Sequence, residues 1–390
     1  MAAIQTLSPD PAFIREVKEM GGDSLKKCYQ CATCSTVCNL SGLSNPFPRR
    51  EMFLAGWGQA DKLVSDPNIW LCHQCNDCST YCPRGARPGD VLAAIRSYTY
   101  KHFSFPSFMG KALAKPGALP VLLLVPVAIL LACIVLFAPK AADGSYQFLT
   151  SNVIDFNLFL PHSSVDALFV LGNILIFIFA AIGFVRFWKS LQRPDQQPQM
   201  SFVSGLTATI TEILAHRKFS DCETNHPRMI GHMMLLFGFI GALITTGAVF
   251  VSIFIPHYLN LLGIESLSSM FELPMNLPNP IKILGAISGL AMVIGSGMLI
   301  IRRWTNKDNV GANGYADYLF LYVFFLTALT GMAAWLVRWS GAAMAAYVSY
   351  FLHIVGVFFL LWYMPYSKFA HMIYRTLALV HAKRMGLDKQ

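Results

Sequence analysis

Six stretches of this 390-residue chain are each apolar for long enough to cross about 30 Å of hydrocarbon as a helix, and all of them lie after Pro116. They run roughly over Leu119–Ala138, Val165–Val185, Met229–Ile255, Ile283–Ile301, Tyr318–Val337 and Ala343–Met364. Composition agrees, with 55% hydrophobic and only 13% charged residues, against about 25% charged in ordinary soluble domains. Mean hydropathy is +0.49. The reading is a membrane protein, and the formal charge of +9 then reads as Lys and Arg gathered in cytoplasmic loops, not as a nucleic-acid surface.

The positive residues also give an orientation. Between spans two and three lie Arg186, Lys189, Arg193, Arg217, Lys218 and Arg228; between four and five lie Arg302, Arg303 and Lys307. After span six come Lys368, Arg375, Lys383, Arg384 and Lys389, whereas the opposite connections offer Lys140, Lys282 and Arg338. Both termini are expected in the cytoplasm of a multi-pass inner-membrane protein. The first thirty residues carry Asp10, Glu16, Glu19 and Asp23 and no apolar run like that of a cleavable signal. A front domain, 1–115, is therefore expected inside the cell, ahead of a membrane domain, 116–390.

The front domain says one thing twice: "CYQCATCSTVC" from Cys28 to Cys38, then "CHQCNDCSTYCP" from Cys72 to Pro83. Each set has the spacing C-x2-C-x2-C-x3-C, by which ferredoxins hold 4Fe-4S clusters, three thiolates from one loop and the fourth from the other. That rule groups Cys28, Cys31, Cys34 and Cys82 for one cluster, and Cys72, Cys75, Cys78 and Cys38 for the second. Pro83 after Cys82 fits the pattern and Asn39 after Cys38 does not. Zinc needs four ligands and no such third and fourth spacing. Disulfides are disfavoured in a reducing compartment.

Between the sets, "PRREMFLAGWGQADKLV" places Met52, Leu54, Trp57 and Leu63 among helix formers with no alternating β-branched run, so the scaffold is expected to be helical and the whole chain all-α. With Trp70, Cys72 and Cys75 forming a W-x-C-x-x-C run, the first hundred residues resemble the helical ferredoxin domain found in the C subunits of heterodisulfide reductases.

Histidines in membrane segments call for a function. "SYFLHIVGVFFLLWYMPYSKFAHMIYR" sets His353 and His371 eighteen residues apart, five whole turns, so that on one continuous helix both rings leave the same face about 27 Å apart. Such a face suits two stacked haems. His232, near the cytoplasmic start of span three, lies at the depth of His371, and the two are expected to clamp an inner haem b. His216 and His226 are alternatives to His232 for that role. His73, His102, His257 and His381 read as packing or surface residues, and so does Cys133 in span one; Cys222 has no assignment.

The segment "PYSKFAH", with its histidine eighteen residues upstream, resembles the last helix of the gamma subunit of respiratory nitrate reductases, five-helix di-haem b cytochromes; the resemblance runs over about Val165 to Ile373. It implies a second histidine ten residues after His232, where this chain has Ala242. His162, at the outer end of span two, is the best-placed replacement opposite His353; an outer haem with His353 alone, or none, is the competing reading.

Taken together, an intracellular two-cluster ferredoxin fused to a six-helix cytochrome b bundle resembles the C subunits of quinone-interacting membrane-bound oxidoreductase (Qmo) complexes of sulfate-reducing bacteria. The resemblance implies cytoplasmic flavin and iron-sulfur partner subunits like heterodisulfide reductase A, and electron exchange between menaquinone and adenylylsulfate reductase. Lys282, Asp166 and Lys368 are polar groups at span ends that suit a quinone site and equally suit snorkelling anchors. No nucleotide fingerprint accompanies "GANG" or "GSG", so any flavin is expected in a partner.

Overall fold

Asp10 starts the first helix, α1 (Pro11–Val17): its carboxylate accepts from the backbone N–H groups of Ala12 at 2.8 Å and Phe13 at 3.1 Å. Pro11 sits at the first helical position, where a missing N–H costs nothing. The computed structural model describes residues 7–387 apart from 44, 193–196, 217–225, 253–274, 276 and 307–313. Among the described residues there is no β-strand, only an isolated bridge between Lys140 and Tyr146. The all-α expectation holds.

Short helices α2 (Thr33–Thr36), α3 (Arg49–Gly56), α4 (Ala60–Val64), α5 (Asn68–Leu71) and α6 (Asp77–Thr80) surround the longer α7 (Pro88–Phe103), followed by α8 (Ser107–Leu113). The inter-motif scaffold is helical, as read, but in two pieces. Gly58 between them has φ +66°, and a Cβ there would lie 2.7 Å from the Asp10 backbone, so only glycine makes this turn. The buried face of α7, with Val91, Leu92, Ala94, Ile95 and Phe103, packs on Phe13, Val17, Leu25, Ile69 and Trp70.

The remaining helices are α9 (Leu119–Phe137), α10 (Gln147–Thr150), α11 (Phe156–Phe159), α12 (His162–Leu191), α13 (Phe202–Leu214), α14 (His226–Ser252), α15 (Pro280–Thr305), α16 (Tyr315–Trp339), α17 (Ala343–Trp362) and α18 (His371–Arg384). Six of them, α9, α12, α14, α15, α16 and α17, are long and apolar enough to cross a membrane. Their outward faces carry Leu171, Phe177, Leu243, Ile287 and Leu352, exposed as lipid requires and water penalises. Helices α14 and α15 approach through glycines: a Cβ at Gly295 would lie 2.7 Å from the Gly231 carbonyl oxygen.

One expectation is corrected. The final span does not run on to His371; it ends at Trp362, and 3-10 turns at Met364–Tyr366 and Lys368–Ala370 precede α18. Pro365 has no N–H to donate and its ring collides with the preceding turn. Ser367 then caps the second turn, its hydroxyl accepting from the Phe369 N–H at 3.1 Å. His353 and His371 thus stand on two helices, and the 27 Å single-face spacing does not apply.

The break sends α18 under the cysteine domain. Tyr374 and Ala378 of α18, with Phe187 and Leu191 from the end of α12, are buried in the same apolar core as Phe13, Trp70 and Ile95.

Candidate cofactor sites

The two cysteine loops have the same shape. Gln30 and Ala32 in the first, at φ 59° and 71°, match Gln74 and Asn76 in the second, at 55° and 70°. The left-handed conformation costs a residue with a side chain roughly 1–2 kcal/mol. Paying it twice per loop, at the same positions, curls the backbone around its sulfurs. A short helix follows each loop, α2 or α6, and delivers the fourth cysteine, Cys38 or Cys82.

The fourth cysteines cross over. Cys28, Cys31 and Cys34 line one small cavity with Cys82. Cys78 is crowded by Cys72, Cys75 and Cys38. Burial first, then the neighbouring thiols, pushes Cys34 up to about 11 and Cys78 well above the ordinary thiol range; burial pushes Cys38 up to about 11. Sulfurs so placed resist ionising together unless positive charge lies among them, which iron supplies.

No disulfide links the described cysteines. Nor, among the described residues, do three His, Cys, Asp or Glu side chains close on one metal ion. Donors already face the sulfurs: Gln74 N–H to Cys72 Sγ at 3.4 Å, Ala86 N–H to Cys82 Sγ at 3.3 Å and Gln30 Nε2 to Cys28 Sγ at 3.4 Å.

The second loop is tied to the membrane helices. Arg228, in the first turn of α14, donates Nη1 to the carbonyl oxygens of His73 at 3.3 Å and Gln74 at 3.0 Å. Arg96 of α7 donates to the Gln74 side chain and, at 3.3 Å, to the Ile69 carbonyl. Trp70, two residues before Cys72, is 1% exposed and stacks on Tyr374 of α18 with centroids 5.6 Å apart.

Beside this junction lies an inner cavity of about 290 Å³, with Trp70 and Gln74 on one side and His232 and His371 also in its lining. His371 donates Nδ1–H to the Lys368 carbonyl at 2.6 Å. Its burial, then the charge of Lys368, holds it down to about 3, so the ring stays neutral, the form that binds metals. His216 donates Nδ1–H to the Leu214 carbonyl at 3.2 Å, and its Nε2 therefore accepts from His232 Nδ1 at 3.0 Å. In both His232 and His371 the opposite ring nitrogen, Nε2, is the one such an arrangement presents to a metal. The same cavity is lined by Arg96, Arg228, Arg303, Lys368 and Arg375 against Asp317 and Glu212. Asp317 pairs with Lys368, and Glu212 with Lys383 at 2.7 Å. The lining is net positive and suits an anionic occupant.

An outer cavity of about 570 Å³ gathers His353, His162 and Ala242, with Gly331, Lys282 and Arg338. His353 donates Nδ1–H to the Thr327 carbonyl at 2.8 Å. Gly331 admits its ring, for a Cβ there would lie 2.7 Å from His353 Cε1. His162 is exposed at the first residue of α12, its backbone N–H held by Asn157 Oδ1 at 2.9 Å. His353 sits ten residues into α17, roughly 15 Å along the helix axis.

The four sequence-chosen histidines thus fall into two pairs in two cavities. His216, an alternative to His232 from the sequence, is its hydrogen-bond partner. Of the arginines around the inner cavity, Arg228, Arg303 and Arg375 were legible only as orientation markers and Arg96 not at all, and no local pattern gathers them. His381 is buried and bonds Gln192 at 3.4 Å, His102 stacks on Tyr98, and Cys133 packs beside Leu130 and Ile134, all as packing residues. Cys222, His257 and the side chain of His226 lie outside the described residues.

A family model for Citrate utilization protein B matches residues 112–389, and one for a 4Fe-4S dicluster domain matches residues 24–86. The C subunit of an H(2):CoB-CoM heterodisulfide,ferredoxin reductase from Methanothermobacter marburgensis is 38% identical over 93 residues, 24% of this chain and 50% of that protein. A protein from Archaeoglobus profundus that is like the C subunit of heterodisulfide reductase is 32% identical over 92 residues, 23% of this chain and 49% of that one. The chain spans about half the length of these relatives. Citrate utilization protein B from Escherichia coli is 25% identical over 311 residues, covering 74% of this chain and 73% of that protein. No solved structure matches. Residues 24–86 are a 4Fe-4S dicluster domain, similar to the C subunits of heterodisulfide reductases, and the part that follows is helical, with six helices long and apolar enough to cross a membrane.

Proposed function

The chain belongs to the Citrate utilization protein B family, and on that premise we propose that it is the membrane subunit of a quinone-dependent oxidoreductase complex. It exchanges electrons between menaquinone and cytoplasmic flavin and iron-sulfur partners. Cys28, Cys31, Cys34 and Cys82 would hold one 4Fe-4S cluster; Cys72, Cys75, Cys78 and Cys38 the other. His232 and His371 would hold an inner haem b, and His353 with His162 an outer one. Clusters and haems carry one electron each where a quinol gives two, and that separation is the chemistry they supply.

The chain's own residues do the positioning. Lys368, Leu214 and His216 fix the protons of the inner imidazoles, and Arg96, Arg228, Arg303 and Arg375 suit the two carboxylates of a haem. The observation that carries the reading is the inner cavity itself, which joins His232 and His371 to the second cysteine loop. The cytoplasmic side is assigned from the Lys and Arg distribution.

The test is an anaerobic optical and EPR titration of the purified protein with a menaquinol analogue. Two 4Fe-4S signals and two b haems, reduced by quinol, are expected; haems that quinol leaves oxidised would sink the quinone assignment and leave a redox-sensing anchor. For the cytoplasmic partner, adenylylsulfate reductase is the proposal that the Qmo-like order of parts supports. The match over residues 112–389 favours a second reading, a redox arm of citrate utilisation. Subunits that co-purify with the tagged chain distinguish these two, and a heterodisulfide or sulfite reduction complex as well.

A further inference from the structure

A third cavity, of about 130 Å³, lies where the cysteine domain meets the membrane helices. Its lining includes Pro116 and Tyr315, the first residues of two candidate spans, and Leu360, in the last turn of α17. That places it at the inner end of the bundle, at the level where lipid tails give way to headgroups. Leu319, Val323 and Phe359 give it an apolar wall, while Tyr315, Ser367 and Lys368 contribute polar groups, and Glu19 and Lys101 of the cysteine domain also line it. Tyr315 Oη is buried and has no hydrogen-bond partner among the described residues. A buried hydroxyl left so costs about 1–3 kcal/mol, which a ligand oxygen would recover. Lys368 meanwhile forms an ion pair with Asp317, which lines the inner histidine cavity. Tyr100, Phe320 and Lys368 line both cavities, so one layer of side chains separates them.

We propose that this cavity receives the headgroup of an isoprenoid quinone. The inference rests on the quinone reading above and adds its place. A quinone headgroup is a flat, mainly apolar ring with an oxygen at each end and a tail that must stay in lipid. A slot at the inner ends of the spans, apolar in the middle, with the Tyr315 hydroxyl and the Lys368 ammonium at its edges, matches a flat ring that carries an oxygen at each end. The wall shared with the inner histidine cavity puts the ring next to the site from which electrons would be exchanged. Of the polar span-end residues singled out in the sequence, this assigns Lys368 and leaves Lys282 to the outer cavity.

The test uses the full-length protein in lipid nanodiscs and 2-heptyl-4-hydroxyquinoline N-oxide, a quinol mimic whose fluorescence is quenched on binding. Val323→Trp, which fills the slot, should weaken binding more than about tenfold. Tyr315→Phe, which removes one oxygen and leaves packing intact, should weaken it roughly 2- to 10-fold. Lys282→Met, in the outer cavity, should leave it at the wild-type level. Haem and cluster spectra report whether each variant is intact. Wild-type affinity in Tyr315→Phe, or loss of binding in Lys282→Met, overturns the placement. So does loss of a co-purifying phospholipid from Val323→Trp with mimic binding unchanged. A wild-type protein that binds no mimic at all sinks the quinone reading itself.

Discussion

The inner and outer cavities are each built around a histidine whose Nδ1 is tied to a backbone carbonyl, Lys368 for His371 and Thr327 for His353. Beyond that they diverge. The inner cavity has a second histidine held by a third, five cationic groups in its lining and a cysteine loop for a neighbour. The outer one has an exposed second histidine, an alanine at the position where the di-haem pattern expects a ligand, and two cations, Lys282 and Arg338. Orienting partners, charge and burial coincide only at the inner site. The difference teaches that a histidine in a span is not enough to define a metal site; what surrounds its other nitrogen and its cavity is the better guide.

His371→Ala should break the comparison at its strongest point. Haem content measured as the pyridine haemochrome should fall by one per chain, with cluster iron retained; unchanged haem would remove the inner site. Next in size is Arg228→Ala, which deletes charged hydrogen bonds worth about 1.5–3 kcal/mol each. The EPR signal of the second cluster and inner haem retention should change together while the outer centre stays as it was. If only one responds, the junction does not couple them. His216→Leu should keep the inner haem but lower its affinity, on the order of 10- to 100-fold, and His216→Gln, which can still accept from His232, should restore part of it. The smallest effect is expected from His162→Ala: low spin to high spin at the outer centre in EPR, at unchanged haem content. No spin change would leave His353 as the sole protein ligand there.

Much of this was legible in the sequence because it rests on short-range spacing. The C-x2-C-x2-C-x3-C sets specify their loops locally, and even the exchange of Cys38 and Cys82 follows from the repeat. Apolar run length gave all six candidate spans, with ends that moved by a few residues; Ile255, the expected end of the third, lies outside the described residues. The break before His371 was less visible, although Pro365 is its cause: an eighteen-residue spacing reads as one face only if the helix is continuous. The ring of Arg96, Arg228, Arg303 and Arg375 was not legible at all. Those residues come from α7, α14, α15 and α18, and only tertiary packing brings them together. His216 lies close to His232 in sequence, but which of two nearby imidazoles orients the other depends on the Leu214 carbonyl.

The turn at Pro365 also bears on how the molecule can be made. Because α18 returns to pack Tyr374 and Ala378 against Trp70 and Ile95, the core of the cysteine domain is not closed when the ribosome has finished that domain. It closes only after every span has been synthesised and the last helix has come back to meet it. The core beneath the second cysteine loop is thus completed by the last helix of the chain and not by the segment that carries the thiols.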